Sequence, residues 1–390
     1  MKCSAPWRGL HIRTNGDITT CCAGATNLGN VHKDKFEDVL NSDTIKNVRQ
    51  SIKDGKLHEE YCKNCIEIKK QNVSSELDWH NNINEDFDIS QATLEYQFPT
   101  LFDARWNNTC NSNCLYCDET QSSKWASIKK SKDFTKTIKN KEYLNDFFKK
   151  NSNNWKAISL VGGEPLMIKE NLLILESCPD NVPIDVITNL SSDLATSKVF
   201  DRLKQFKNVR WHISFDNVGE HYEYVREGSK WNTLLENFEI LGDLIKSNPN
   251  LQHNVQIMSV LSALNITKLM DLRQFSKDAV NYFRSKHWPP NDIEIVWQPC
   301  MWPYEININY FGKEFAELFA DSIEKYLSSG VQENEKAFFE TVLQQMQKNM
   351  TVPTSEKQKQ ALKSWVENHA NTFNNKGAFE KLYPEYTTIL

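Results

Sequence analysis

Six apolar runs rich in β-branched residues, separated by stretches with helical spacing, constrain this chain more than any other feature. They are "PTLFDARW" (99–106), "KAISLVGGEP" (156–165), "PIDVITN" (183–189), "NVRWHISFD" (208–216), "HNVQIMSVL" (253–261) and "DIEIVWQP" (292–299). Helix-like stretches fall between them at about 122–150, 169–177, 193–206, 231–247 and 266–285. Strands that alternate with helices are joined by crossovers and lie parallel in one sheet. Six strands are too few for a closed eight-fold barrel. The expected fold class is therefore α/β, with a parallel sheet over 99–305. The tail, 306–390, reads as helices, and residues 1–71 as a small cysteine-rich domain with strand-like "GLHIRT" and "DITTCC" and a helix near 43–53. Residues 72–98 are assigned to a linker, whose Asn/Asp-rich part (72–90) reads as a loop.

Composition narrows the function. The 390 residues are 39% hydrophobic and include eleven tryptophans, enough for a sizeable core. A net charge of −5, from 51 acidic and 46 basic side chains, leaves no electrostatic footprint for nucleic acid. "MKCSAPWRGLHIR" lacks the apolar segment of a signal peptide, and no run approaches a membrane span. The cytoplasm is the expected compartment, with no membrane partner. Structural disulfides are rare there, so ten cysteines point to metal or redox chemistry. Seven of them fall in two groups.

Cys110, Cys114 and Cys117 follow the first of the six strands with C-x3-C-x2-C spacing. The Asn and Ser between them tolerate tight turns. Thiolates select zinc, copper(I) or an iron–sulfur cluster, and a 4Fe–4S cubane held by three cysteines leaves one iron open. Zinc completed by a distant His or Cys is the alternative, although the spacing does not match finger patterns.

With Tyr116 before its last cysteine, this loop resembles the signature of the radical S-adenosylmethionine (SAM) superfamily. Gly162-Gly163-Glu164-Pro165 ends the second strand, where that family keeps its GGEP motif. "VITN" (186–189) resembles the family's third strand, with Leu190 in place of the usual glycine. "ISFDN" (213–217) and "HYEYVREG" (221–228) resemble the fourth strand and its trailing arginine, and the resemblance spans about 99–300. It implies a partial (β/α)6 TIM-like barrel over 99–305 in which S-adenosylmethionine chelates the open iron. An electron from the cluster would then release a 5′-deoxyadenosyl radical that abstracts hydrogen from a substrate. A flavodoxin- or ferredoxin-type reductant is the implied partner. Implied cofactor contacts are Tyr116, the GGEP edge, Asn189, Ser214, Asp216 and Arg226. Gln298, ending the sixth strand, joins them by position alone. Cys300, just beyond it, is a candidate hydrogen-atom donor to a product radical, because active sites of β/α barrels gather at the C-terminal strand ends.

The second group begins with Cys3, Gly16 and Cys21 in the pattern C-x12-G-x4-C. With "LGNV" (28–31), 36–55 and "CKNC" (62–65), it resembles the opening of SPASM and twitch domains. The resemblance implies a glycine-relieved hairpin that brings Cys3 and Cys21 together. Cys62 and Cys65 would complete a closed auxiliary 4Fe–4S cluster suited to electron transfer. The module precedes the barrel here, as in the subgroup with an N-terminal twitch domain. The further cysteines of a full SPASM domain are missing, so one auxiliary cluster is expected. Cys22 competes with Cys21 as ligand, and zinc is again the alternative. Cys178 reads as inert, Trp288, Trp297 and Trp302 as packing residues, and the lysine run at 129–150 as a solvated helix face. His212 shares a strand face with Ser214. Three function classes stand: modification of a peptide or protein side chain, the same chemistry on a small metabolite, and a non-enzymatic zinc or electron-transfer protein. No stretch of this sequence reads as a separate leader-peptide-binding domain, an expectation that weighs against the first class.

Overall fold

The computed structural model describes residues 2–70, 76–131, 140–283 and 292–390. In chain order its strands are β1 (Gly9–Ile12), β2 (Asp17–Thr19), β3 (Gly29–Asn30), β4 (Leu101–Ala104), β5 (Asn113–Cys114), β6 (Ala157–Leu160), β7 (Ile184–Thr188), β8 (Val209–Ser214), β9 (Arg226–Glu227), β10 (Asn254–Leu261) and β11 (Ile295–Pro299). Nine of them form one sheet in the order β11-β10-β8-β7-β6-β4-β1-β2-β3, and β5 pairs with β9 separately. The six strands expected from the apolar runs, β4, β6, β7, β8, β10 and β11, are parallel neighbours. This is the open α/β arrangement that the strand–helix alternation requires.

Strand alternation divides the residues between two faces. On the outer face Phe102 packs against Phe148 and Trp155, with centroids 5.3 and 5.8 Å away. On the inner face the register aligns Asp103, Ser159, Asp185 and Arg210 in one polar row. Farther along, Ser214 lies beside Met258, and Met258 beside Val296. Crossover helices Asn171–Leu175, Lys198–Leu203, Trp231–Ser247 and Leu269–Phe283 cover the sheet. Helix Lys141–Lys150 buries Leu144, Phe147 and Phe148 and leaves its terminal lysines exposed. The rest of the lysine run includes 132–139, outside the described residues, as is Trp288.

Two features depart from the sequence reading. The N-terminal hairpin does not stand apart: β1 pairs with β4 in parallel and with β2 in antiparallel fashion, so the hairpin lengthens the barrel sheet. Its turn places Gly16 at φ +86°, a conformation glycine adopts without a Cβ clash. Within the stretch read as a loop, Glu76–Ile83 is helical and buries Leu77 and His80, three residues apart on one face. Its mostly polar composition concealed that spacing.

The tail is helical, as expected. Glu333–Asn349 packs against β11, where the Trp297 indole donates to Glu335 Oε1 at 3.2 Å and meets Phe339 edge-on. The last helices lie over the loops that follow β4, β8 and β10. Their contacts include Trp125 with Phe373 (5.5 Å), His221 Nε2 with the Leu382 carbonyl (2.8 Å), and Thr267 donating to Glu385 (2.6 Å). Among the described residues no helix is long and apolar enough to cross a membrane.

Candidate active site

One cavity lies at the C-terminal ends of the parallel strands. Its wall includes Cys110, Cys114, Tyr116, Cys117, Gly162, Gly163, Asn189, Ser214, Arg226 and Gln298. Residues dispersed over nearly 190 positions converge because each follows or ends a strand of the same sheet. Four other expected contacts, Glu164, Pro165, Asp216 and Cys300, lie outside the wall.

The cysteine loop is held by its neighbours. Asn113–Cys114 pairs with Arg226–Glu227, the Trp125 indole donates to the Cys114 carbonyl at 3.0 Å, and Cys117 N–H donates to the same carbonyl at 2.9 Å. Two side chains donate to thiol sulfurs: Asn189 Nδ2 to Cys110 at 4.0 Å and Arg226 Nη1 to Cys114 at 3.7 Å. The Cys114 thiol is lowered to about 7 by its hydrogen bond with Cys117, aided by the Arg226 charge and opposed by burial. Burial pushes Cys110 up to about 12, and the bond to Cys114 together with burial raises Cys117 well above the usual range.

The glycine edge allows close backbone approach. A Cβ on Gly163 would overlap the Thr109 carbonyl oxygen, and Gly162 sits at φ +112°. The Glu164 carboxylate points away from the cavity and ties two strand ends together. It accepts from Thr188 Oγ1 at 2.6 Å, Asn189 N–H at 2.8 Å and Leu166 N–H at 3.1 Å. Burial raises its pKa to about 7 despite these donors. Pro165 is buried at the start of a short 3₁₀ turn. Leu190, where the family's glycine would stand, adopts φ +48° with its side chain fully buried.

Asp216 lies behind the cavity wall, 2% exposed. It accepts from Arg226 Nε at 2.9 Å, from the Val260 amide at 2.7 Å and from the Tyr116 hydroxyl. Ser214 and Gln298 face the cavity from β8 and β11. Cys300 is 3% exposed, donates to the Trp302 carbonyl at 3.5 Å, and is pushed up to about 12 by burial. Cys178 is packed in the main apolar core. The wall also includes Met258 and Val260 of β10, which the sequence reading passed over. Their alternation with buried Ile257 and Leu261 was the available signal.

Near the N-terminus a second cavity is lined by Cys3, Cys21, Cys62 and Cys65, with Tyr61, Leu77 and His80. Tyr61 fixes the end of the hairpin, its hydroxyl accepting from the Thr20 amide at 2.8 Å. Cys22 is not in the lining: its thiol bonds with Glu76, near Asp103 and Arg105. Burial pushes Cys3 to about 12 and Cys62 to about 11, so ligation here must displace tightly held protons. His80 is lowered to about 3 by burial and remains neutral.

The donor sets fit iron–sulfur clusters. Three thiols on one cavity wall would leave one iron of a cubane for an outside ligand, whereas four around the other would leave none. Among the described residues no three His, Cys, Asp or Glu side chains are grouped closely enough to hold a single metal ion.

Residues 106–275 match the radical SAM superfamily, and residues 3–66 match the SPASM iron–sulfur cluster-binding domain. The chain thus carries a radical SAM domain preceded by a SPASM-type iron–sulfur cluster-binding domain. No curated protein sequence matches it. Among solved structures it is similar, at 13% identity and TM-score 0.36, to Streptococcus suis SuiB bound to precursor peptide SuiA, over 65% of this chain and 45% of that one. It is similar at 16% identity and TM-score 0.38 to anSMEcpe with bound AdoMet and Kp18Cys peptide, over 58% of each chain. A third, TYW1 with a lysine-pyruvate adduct, is 12% identical at TM-score 0.33, over 70% of this chain and 89% of that one. The chain spans about half the length of the first two.

Proposed function

We propose that Cys110, Cys114 and Cys117 hold a 4Fe–4S cluster whose open iron takes S-adenosylmethionine, and that the enzyme modifies a side chain of a peptide or protein. The observation that carries this reading is the single cavity walled by the three thiols, the Gly162–Gly163 edge, Asn189, Ser214, Arg226 and Gln298. When bound, cluster and S-adenosylmethionine together supply a 5′-deoxyadenosyl radical. The chain's own residues do the rest. The glycine edge lets backbone polar groups reach the cosubstrate, Ser214 and Arg226 offer donors to its carboxylate or ribose, and the buried strand ends exclude water. Cys3, Cys21, Cys62 and Cys65 hold one auxiliary cluster for electron transfer, supplied in turn by a flavodoxin- or ferredoxin-type reductant.

A polypeptide substrate is supported by the SPASM-type domain and by the segment after β11. Trp302, read from sequence as a packing residue, is instead 61% exposed, and with Met301 (70%) and Tyr304 (43%) it forms an apolar strip just beyond Gln298 suited to a peptide. A small polar metabolite is the second reading.

The test is release of 5′-deoxyadenosine by anaerobically reconstituted protein with reductant and S-adenosylmethionine. Polypeptide and small-molecule fractions are added separately, with Cys114→Ala as control. Stimulation by the polypeptide fraction supports the proposal, and stimulation by small molecules alone replaces it with the second reading. Release no greater than in Cys114→Ala overturns the cavity assignment.

A further inference from the structure

The hydrogen bonds around Arg226 assign it a task that its place in the cavity wall does not by itself disclose. Its guanidinium is fixed on two sides, with Nε donating to Asp216 Oδ2 at 2.9 Å and Nη1 donating to Cys114 Sγ at 3.7 Å. The Tyr116 hydroxyl donates to the same carboxylate oxygen, and the Tyr116 ring centroid lies 5.5 Å from the guanidinium carbon. Asp216 Oδ1 is taken by the Val260 amide at 2.7 Å. Backbone pairing adds a further constraint, because Arg226 lies opposite Cys114 in the β5–β9 ladder. The side chains of Arg226 and Asp216 are 6% and 1% exposed. Charges buried this deeply act strongly on one another and on whatever Cys114 binds.

We propose that Arg226, held in place by Asp216 and Tyr116, is a positioning residue that sets the reduction potential of the cluster bound through Cys114. This rests on the assignment of the three-cysteine loop as a cluster site. Reduction adds one electron from an external one-electron donor and breaks no bond, so the site gains one negative charge. A guanidinium donating to a ligand sulfur stabilises that added charge, and hydrogen bonds to sulfur and local net charge are established determinants of cluster potential. Asp216 partly cancels the cation while keeping it aimed at Cys114. Removing either partner should therefore move the potential in opposite directions. A purely structural role would not produce that signature.

The experiment is an anaerobic EPR redox titration of the reconstituted full-length protein with dithionite, comparing wild type, Arg226→Gln, Asp216→Asn and the double variant. The relevant cluster is recognised by the change in its signal when S-adenosylmethionine is added, and the auxiliary cluster serves as internal reference. Arg226→Gln should lower the reduced-to-oxidised ratio at fixed potential about tenfold, and Asp216→Asn should raise it about tenfold, each about 59 mV for a one-electron couple. The double variant should return near wild type, with the auxiliary cluster unmoved. Shifts of the same sign, or none, overturn the proposal. If Arg226→Gln does not retain iron, Arg226→Lys replaces it with a smaller downward shift expected, and the upward shift in Asp216→Asn is still required. A Cys114→Ala protein that keeps the S-adenosylmethionine-sensitive signal would instead discredit the cluster assignment beneath it.

Discussion

Leu190 shows two local effects in opposition. Its φ of +48° costs a side-chain-bearing residue about 1–2 kcal/mol, a cost glycine would not bear. Full burial of a leucine contributes about 1.5–3 kcal/mol, and deletion adds a cavity cost. Burial wins, so Leu190→Gly should lower stability by about 1–3 kcal/mol in urea titrations despite relieving the backbone. Glu164 is the residue whose stability contribution should follow pH. Its folded pKa of about 7 exceeds the ordinary 4.5, so its contribution is complete below about pH 4.5 and is lost as pH rises through 7. Between about pH 5 and pH 8 the wild type should lose up to about 3 kcal/mol more than Glu164→Gln, measured by chemical denaturation at each pH. At this scale the three-cysteine loop stood out by its spacing, and the glycine edge by its resemblance to the family's GGEP motif one strand later. The orientations of Glu164 and Asp216 were not: a motif shows that a carboxylate is present, while the direction it faces depends on donors such as Thr188 and Val260 on neighbouring strands.

Among the elements, the hairpin joint depends on tight backbone packing. A Cβ on Gly9 would overlap the Thr20 carbonyl oxygen and come within 2.9 Å of His80 Cε1. Gly9→Ala should therefore push β1 from the chain that carries Cys21. Bound iron and sulfide should fall by about half, toward the four of each in one cubane, while the S-adenosylmethionine-sensitive cluster is retained. Iron and sulfide assays on the reconstituted variant check this. The six parallel strands could be read from the chain because each is a local apolar run. The pairing of β1 with β4 could not, since register between segments far apart in sequence leaves no local trace. Helix Glu76–Ile83 was missed for a different reason: only Leu77 and His80 turn inward, too few apolar positions to reveal a period.

At the scale of the whole molecule, the C-terminal helices hold the loops above the cavity in place. Tyr386 is fully buried, packs 5.6 Å from Phe315, and donates to the Ala263 carbonyl just past β10. Tyr386→Ala should cost about 3–5 kcal/mol, as large aromatic truncations do, whereas Tyr386→Phe should cost only about 1 kcal/mol for the lost hydrogen bond. Thermal melts of the two variants give the comparison. The position of the hairpin at one margin of the sheet also sets an order of events during synthesis. Gly9 leaves the ribosome early, but its partner Leu101 follows only after about 90 more residues, which at ordinary translation rates takes about 5–20 seconds. Throughout that interval β1 presents an unpaired edge. The thiols of Cys3 and Cys21 meet the cell's metals and oxidants before the strand that completes their setting has been made.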